Sequence, residues 1–133
     1  GPHENYWDRK ESAKYGIYSL SLNEFIVPYI YPQDNSNREE CRWIVFEDKK
    51  SKKQILIKGA NPLSFRAWPY TEEDLENSKH NYELPIRDFI NINIDYRVHG
   101  VGGSNSWGKR TLPQYTIKMN NDFSLCFFIK FLK

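Results

Sequence analysis

The chain has 133 residues, with nineteen basic against seventeen acidic side chains and a net charge of +2. The two signs are interspersed, so no basic stripe points to nucleic acid or to an anionic membrane surface, and no apolar run approaches the ~18 residues that a membrane-spanning helix needs. A chain of this length is one domain or part of one, and should bury roughly two-thirds of its unfolded surface.

Taken in order, short segments of alternating polarity recur between proline and asparagine clusters, which is the pattern of an all-β chain. The alternation predicts strands over residues 16–20, 25–31, 42–47, 54–59, 63–68, 90–98, 114–118 and 123–131. Residues 32–40, rich in Asp, Asn and Ser, read as a loop. The charged run 48–53 reads as a solvated hairpin turn. One short helix is expected near 71–78, where Thr71 followed by Glu72, Glu73 and Asp74 makes a capping-box-like start with acidic residues in the first turn. In residues 91–98 the alternation is strict. It predicts Ile92, Ile94, Tyr96 and Val98 facing a core and Asn91, Asn93, Asp95 and Arg97 facing out. The aromatic content of 16% suits pleated strand faces and also accompanies carbohydrate sites.

The chemistry-bearing residues are sparse. Cys41 and Cys126 form no CxxC pair, and His3, His80 and His99 lie in separate segments, so neither a metal site nor a disulfide framework is expected. No GxSxG or HExxH pattern occurs. The first residues lack the basic-then-apolar pattern of a secretory signal, and if the chain is a piece of something larger, cytoplasmic and exported locations both stay open.

The stretch 100–111, GVGGSNSWGKRT, comes near the phosphate loop of nucleotide hydrolases through Gly103, Gly108 and Lys109. It fails on mechanics. Arg110 stands where a magnesium-binding hydroxyl is required, and Pro113 falls in the first turn of the helix whose amides would face the phosphates. What remains is a glycine-rich loop presenting Trp107. The ring either plugs the end of the sandwich or forms an exposed platform on which the apolar face of a ligand ring stacks. Glu4, Asp8 and Arg9 form a second constellation, able to hold a sugar or to make an ion-paired turn that pins the N-terminal segment.

Several motifs together resemble the C-terminal, or small-chain, domain of family 2 glycoside hydrolase β-galactosidases. They are Gly1-Pro2-His3-Glu4-Asn5-Tyr6-Trp7-Asp8-Arg9, Pro32-Gln33-Asp34-Asn35-Ser36-Asn37-Arg38, Pro69-Tyr70-Thr71 with Leu75 and His80, and Asn93-Ile94-Asp95-Tyr96 leading to Gly100-Val101-Gly102-Gly103-Ser104-Asn105-Ser106-Trp107-Gly108. They lie in the family's order over essentially the whole chain.

The resemblance implies an antiparallel β-sandwich of the galactose-mutarotase-like kind, with residues 1–133 as a single C-terminal portion of that domain. It implies that the catalytic glutamates, and a divalent metal such as magnesium, belong to a barrel domain outside this chain. No cofactor is expected within the chain itself. Trp107 would then wall the sugar beyond the scissile bond, with Asn105 a weaker substrate contact. The family loop commonly carries two acidic residues where this chain has Ser104 and Asn105, which alters the polar contacts there. Expected partners are a galactoside and the remaining domains of the enzyme, not nucleic acid or membrane. If upstream strands of the family domain are missing, an unpaired sheet edge or apolar face should follow, with self-association into a homo-oligomer or a short sandwich as the result. A free-standing carbohydrate-binding module and a structural assembly domain without a sugar site are the alternatives.

Overall fold

The computed structural model describes residues 1–132. Its frame is two antiparallel sheets. One contains β1 (Arg38–Cys41), β4 (Leu63–Trp68) and β5 (Asn91–Asp95) in the order β1-β4-β5; the other contains β2 (Ile44–Glu47), β3 (Gln54–Gly59) and β6 (Phe127–Leu132) in the order β2-β3-β6. Two short helices, α1 (Leu22–Phe25) and α2 (Glu72–Asn77), and 3-10 turns at Asn81–Glu83 and Pro113–Tyr115 complete the regular structure of the described residues. The all-β chain expected from the alternation is what forms, as the antiparallel sandwich that the resemblance implies.

The β2–β3 hairpin and the turn that carries the chain from β3 into the other sheet both follow from local chemistry. Between β2 and β3 the Asp48 carboxylate accepts from the amides of Lys50 at 3.0 Å and Ser51 at 3.2 Å, closing the charged run into a turn. Ile44 then stands opposite Ile57, and Phe46 opposite Ile55. Between β3 and β4 the chain reverses so tightly that a Cβ on Gly59 would lie 2.2 Å from the Asn61 carbonyl oxygen, so only glycine fits. The apolar faces of the sheets meet at Ile44, Ile57 and Leu63, with Cys41, Phe46, Ile55, Phe65 and Ile94 packed around them.

The far face of the β1-β4-β5 sheet is covered as well. Trp68, Tyr70 and Leu75 form a second apolar cluster under α2, and Trp68 is wholly buried. Helix α2 starts as expected, with the Thr71 hydroxyl accepting from the Asp74 amide at 3.1 Å and the Asp74 carboxylate accepting from the Thr71 amide at 2.9 Å. Asn91, Asn93 and Asp95 stand on the face away from Ile92 and Ile94, as expected, but this second layer partly covers them: the two asparagine amides donate to Glu72, and Asp95 takes Arg66 at 2.6 Å. Arg66 Nε also lies 2.7 Å from Asp34, as an ion pair without a directed hydrogen bond. Tyr96, expected in the core, lies beyond the end of β5 and is exposed.

Other expected elements do not form. Residues 16–20 have no partner strand and leave Ile17 and Tyr18 exposed. Residues 25–31 begin as the end of α1, because Glu24 accepts from both the amide and the hydroxyl of Ser21, at 2.8 and 2.6 Å. In 114–118, Pro113 starts a 3-10 turn in which Tyr115 N–H donates to Leu112 at 2.9 Å.

Conversely, all of β1 but Cys41 lies within the segment read as a loop. Its alternation is hidden by a bulge at Glu40, whose φ of 58° is left-handed, and by a buried Arg38. The Arg38 guanidinium donates to the carbonyls of Pro2 at 3.0 Å, Ser36 at 2.9 Å, and Asn37 and Phe25 both at 3.3 Å. It also lies 4.4 Å from the centroid of the Phe25 ring. Burial holds its pKa below the ordinary arginine value.

The burial expectation also falls short. The chain exposes 9958 Å², whereas a compact monomer of 15.9 kDa exposes about 7,400 Å². About 57% of the unfolded surface is buried rather than two-thirds, because two three-stranded sheets cover each other only in part.

Candidate functional site

The glycine-rich loop is held at its base by contacts from distant segments. Gly100 N–H donates to the Tyr115 carbonyl at 3.0 Å, and the Thr111 hydroxyl donates to the Gly100 carbonyl at 2.8 Å. A Cβ on Gly100 would come within 3.0 Å of Thr111, Tyr115 and Asp8, so the loop base requires glycine there. Gly102 and Gly103 continue in the left-handed region at φ 67° and 78°.

The N-terminal turn grips this backbone from the other side. Tyr6 and Arg9 exchange backbone hydrogen bonds, at 3.3 and 2.8 Å, which tightens the turn and directs Asp8 and Arg9 to the loop. The Asp8 carboxylate accepts from Val101 N–H at 3.0 Å and Gly102 N–H at 2.8 Å, while Arg9 donates to the Gly102 carbonyl. Trp7 meets Tyr115 edge-on at 5.7 Å, and the Arg97 guanidinium lies 4.2 Å from the Trp7 ring centroid. Between this turn and the loop lies an open cavity of ≈ 230 Å³, bounded by Asp8, Arg9, Gly103, Ser104 and Leu112.

At the tip, Asn105 organises the turn. Its side-chain oxygen accepts from Trp107 N–H at 3.0 Å and Lys109 N–H at 3.2 Å, and Gly108 follows at φ 77°. The Trp107 side chain is 90% exposed. The loop therefore carries a large ring into solvent from a braced base, and the reading of Trp107 as a plug in the core is overturned. Among the described residues no α-helix follows Lys109, only the 3-10 turn at Pro113–Tyr115, in keeping with the mechanical argument against a phosphate loop.

The Glu4, Asp8 and Arg9 constellation does not assemble as an ion-paired turn. Asp8 and Arg9 are committed to the loop backbone. Glu4 points elsewhere, accepting from Tyr6 OH at 3.3 Å, from Tyr29 OH and from the Ser36 amide at 2.5 Å. Burial, reinforced by Glu4, pushes the Tyr29 phenol up to about 12 and Tyr6 higher still. Sequence reasoning singled out Asp8 and Arg9 but missed their partner, because Val101 and Gly102 lie more than ninety residues away and no local pattern encodes that contact.

His3 meets Ser12, and His80 stacks on Tyr82. Among the described residues no group of three or more His, Cys, Asp or Glu side chains is gathered as a metal would require. No described helix is long and apolar enough to cross a membrane.

A family model for the beta-galactosidase small chain matches residues 1–129. A beta-galactosidase of Priestia megaterium is 38% identical over 130 residues, 98% of this chain and 12% of the relative. One of Pseudoalteromonas haloplanktis is 40% identical over 121 residues, 91% of this chain and 11% of the relative. One of Actinobacillus pleuropneumoniae is 33% identical over 133 residues, 100% of this chain and 12% of the relative. The chain thus spans about one-eighth of the length of the curated relatives it matches. With the succession of motifs, the sandwich and the match over nearly its full length in agreement, the chain belongs to the beta-galactosidase small-chain family.

Proposed function

We propose that this chain is the C-terminal β-sandwich portion of a family 2 glycoside hydrolase acting on terminal β-D-galactosides. In this reading the loop 100–111 forms one wall of the sugar pocket. The observation that carries the proposal is the 90% exposure of Trp107 on a loop whose base is clamped by Asp8 and Arg9. A free apolar ring at a defined place can stack on the sugar beyond the scissile bond and orient it for attack. Asn105 shapes that presentation through the backbone, and a direct sugar contact from it is a secondary role.

The acid/base and the nucleophile of a retaining two-carboxylate mechanism lie, in this reading, on another domain of the polypeptide. A divalent metal such as magnesium belongs there too. The chain alone should not hydrolyse glycosides.

The test is Trp107→Ala in the full-length protein assayed with lactose. Loss of a stacking contact worth about 1 kcal/mol raises KM roughly fivefold, and unchanged kinetics would remove the role. A free-standing carbohydrate-binding module also suits an exposed aromatic on a sandwich. Titrating the isolated chain with lactose by tryptophan fluorescence separates the two: saturable binding lost in Trp107→Ala favours the module, and negligible binding favours a pocket completed by other domains.

A further inference from the structure

We propose that Asn5 is a positioning residue for Trp107: it ties the N-terminal turn to the outer edge of β1, and the turn in turn fixes the loop that carries the ring. The consequence for catalysis rests on the reading of Trp107 as a wall of the sugar pocket.

Strand β1 pairs with β4 on one side, and no strand takes its other edge. Asn5 occupies that edge. Its backbone N–H donates to the Asn37 carbonyl at 2.9 Å, and the Asn37 side-chain amide donates back to the Asn5 carbonyl at 3.0 Å. The Asn5 side-chain oxygen then accepts from the Glu39 N–H at 2.9 Å, beside the bulge at Glu40. Asn5 is 3% exposed and Asn37 is fully buried, so water does not replace a bond that is lost there.

The residue after Asn5 starts the turn. Tyr6 and Arg9 close it, and Asp8 and Arg9 reach the backbone of Val101 and Gly102. Strands β1 and β5 are the two edges of one sheet. The loop follows β5 along the chain and is reached from β1 through Asn5 and the turn, so its base is referred to both edges of that sheet. The other bonds of the loop base, from Gly100 to Tyr115 and Thr111, stay within residues 100–115 and give it no such reference. Further upstream, Arg38 holds the Pro2 carbonyl and Glu4 holds the Ser36 amide. Loss of the Asn5 side chain therefore loosens the turn without releasing the whole segment.

Asn5→Leu in the full-length protein tests this, because it keeps the side-chain volume and removes the acceptor. Amide exchange at Val101 and Gly102 should become roughly tenfold faster, with exchange in β3 and β4 little changed. KM for lactose should rise roughly threefold with kcat held, while β-D-galactosyl fluoride, whose leaving group has no ring to stack, keeps its kinetics. Added to Trp107→Ala, the substitution should raise KM no further. Asn5→Asp, which retains an oxygen for the Glu39 amide, should restore slow exchange and the lactose KM. Should Asn5→Leu fail to fold, Asn5→Ser, whose hydroxyl stops one bond short of that oxygen, carries the same expectations. Unchanged exchange at Val101 and Gly102 would overturn the proposal. Equal acceleration throughout both sheets, or the same loss on the fluoride as on lactose, would make Asn5 a support of the whole fold and overturn it as well. Unchanged kinetics in Trp107→Ala would instead remove the sugar wall and leave the exchange result standing, so the two readings fail separately.

Discussion

Replacing Asp8 by alanine removes both charge-assisted hydrogen bonds that hold the loop base, from Val101 N–H at 3.0 Å and Gly102 N–H at 2.8 Å. Hydrogen bonds to a charged acceptor contribute roughly 1.5–3 kcal/mol each when enclosed. Val101 is exposed here and Gly102 only half-buried, so water takes over part of the loss. Gly100 still bonds to Tyr115 and Thr111. A net cost of about 2 kcal/mol, confined to the loop, is the reasonable figure. It corresponds to roughly thirty-fold faster amide exchange at Val101 and Gly102, with exchange in β3 and β4 little changed. Asp8→Asn, which keeps one acceptor oxygen, should fall between the two. The assay is amide exchange by NMR or mass spectrometry on the isolated chain. Exchange at Val101 and Gly102 that is the same in Asp8→Ala as in the parent would refute the clamp, and an equal acceleration throughout both sheets would show that Asp8 supports the whole fold rather than the loop.

Three further outcomes follow from burial and charge. Trp107→Ala should leave the unfolding free energy read from urea titration within ~0.5 kcal/mol of the parent, since the ring touches little, whereas Trp68→Ala, at a wholly buried ring, should cost about 3–5 kcal/mol; equal losses would contradict the burial assignment. The Arg87 guanidinium, with the Thr71 amide, holds the Asp74 carboxyl well below its usual range. A depressed folded pKa contributes stability that is full above the unfolded value and is lost as pH falls through the folded one, so the gap in urea midpoint between the parent and Arg87→Met should be full near about pH 6, start to narrow only below about pH 4, and close only where the folded Asp74 carboxyl itself takes up a proton, well below that. Burial pushes the Cys41 thiol up to about 11 while Cys126 is exposed. At about pH 8 iodoacetamide should therefore modify Cys126 well before Cys41, and equal labelling rates read by mass spectrometry would count against the placement of Cys41 in the core.

Some roles set by immediate neighbours were legible in the sequence, while the equally local Ser21–Glu24 cap and the 3-10 turn begun by Pro113 were read as strand. Strands β3 and β4 follow from their alternation with the turns that bound them, and α2 follows from a cap that involves only Thr71 and Asp74. The glycine spacing and Arg110 likewise disposed of the phosphate-loop reading without a structure, because that chemistry depends on adjacent residues. The presence of a presented tryptophan at 107 was legible too, but not whether the ring was inside or outside.

Tertiary structure decided what depends on a distant partner. A segment of alternating polarity becomes a strand only if a neighbour offers its hydrogen-bonding edge; β5 and β6 found one, residues 16–20 did not, and β1 did despite a bulge and a buried arginine. Asp8 and Arg9 changed meaning in the same way, from an ion-paired turn to a brace for a loop more than ninety residues away. By itself the sequence determined the 48–53 turn, the cap of α2, the family and the identity of the ring at the loop tip. The packing of the two sheets decided that Trp107 stands in solvent and that β6 overhangs the core, because burial depends on which surfaces face each other, and that is not encoded in the spacing of residues along a single strand.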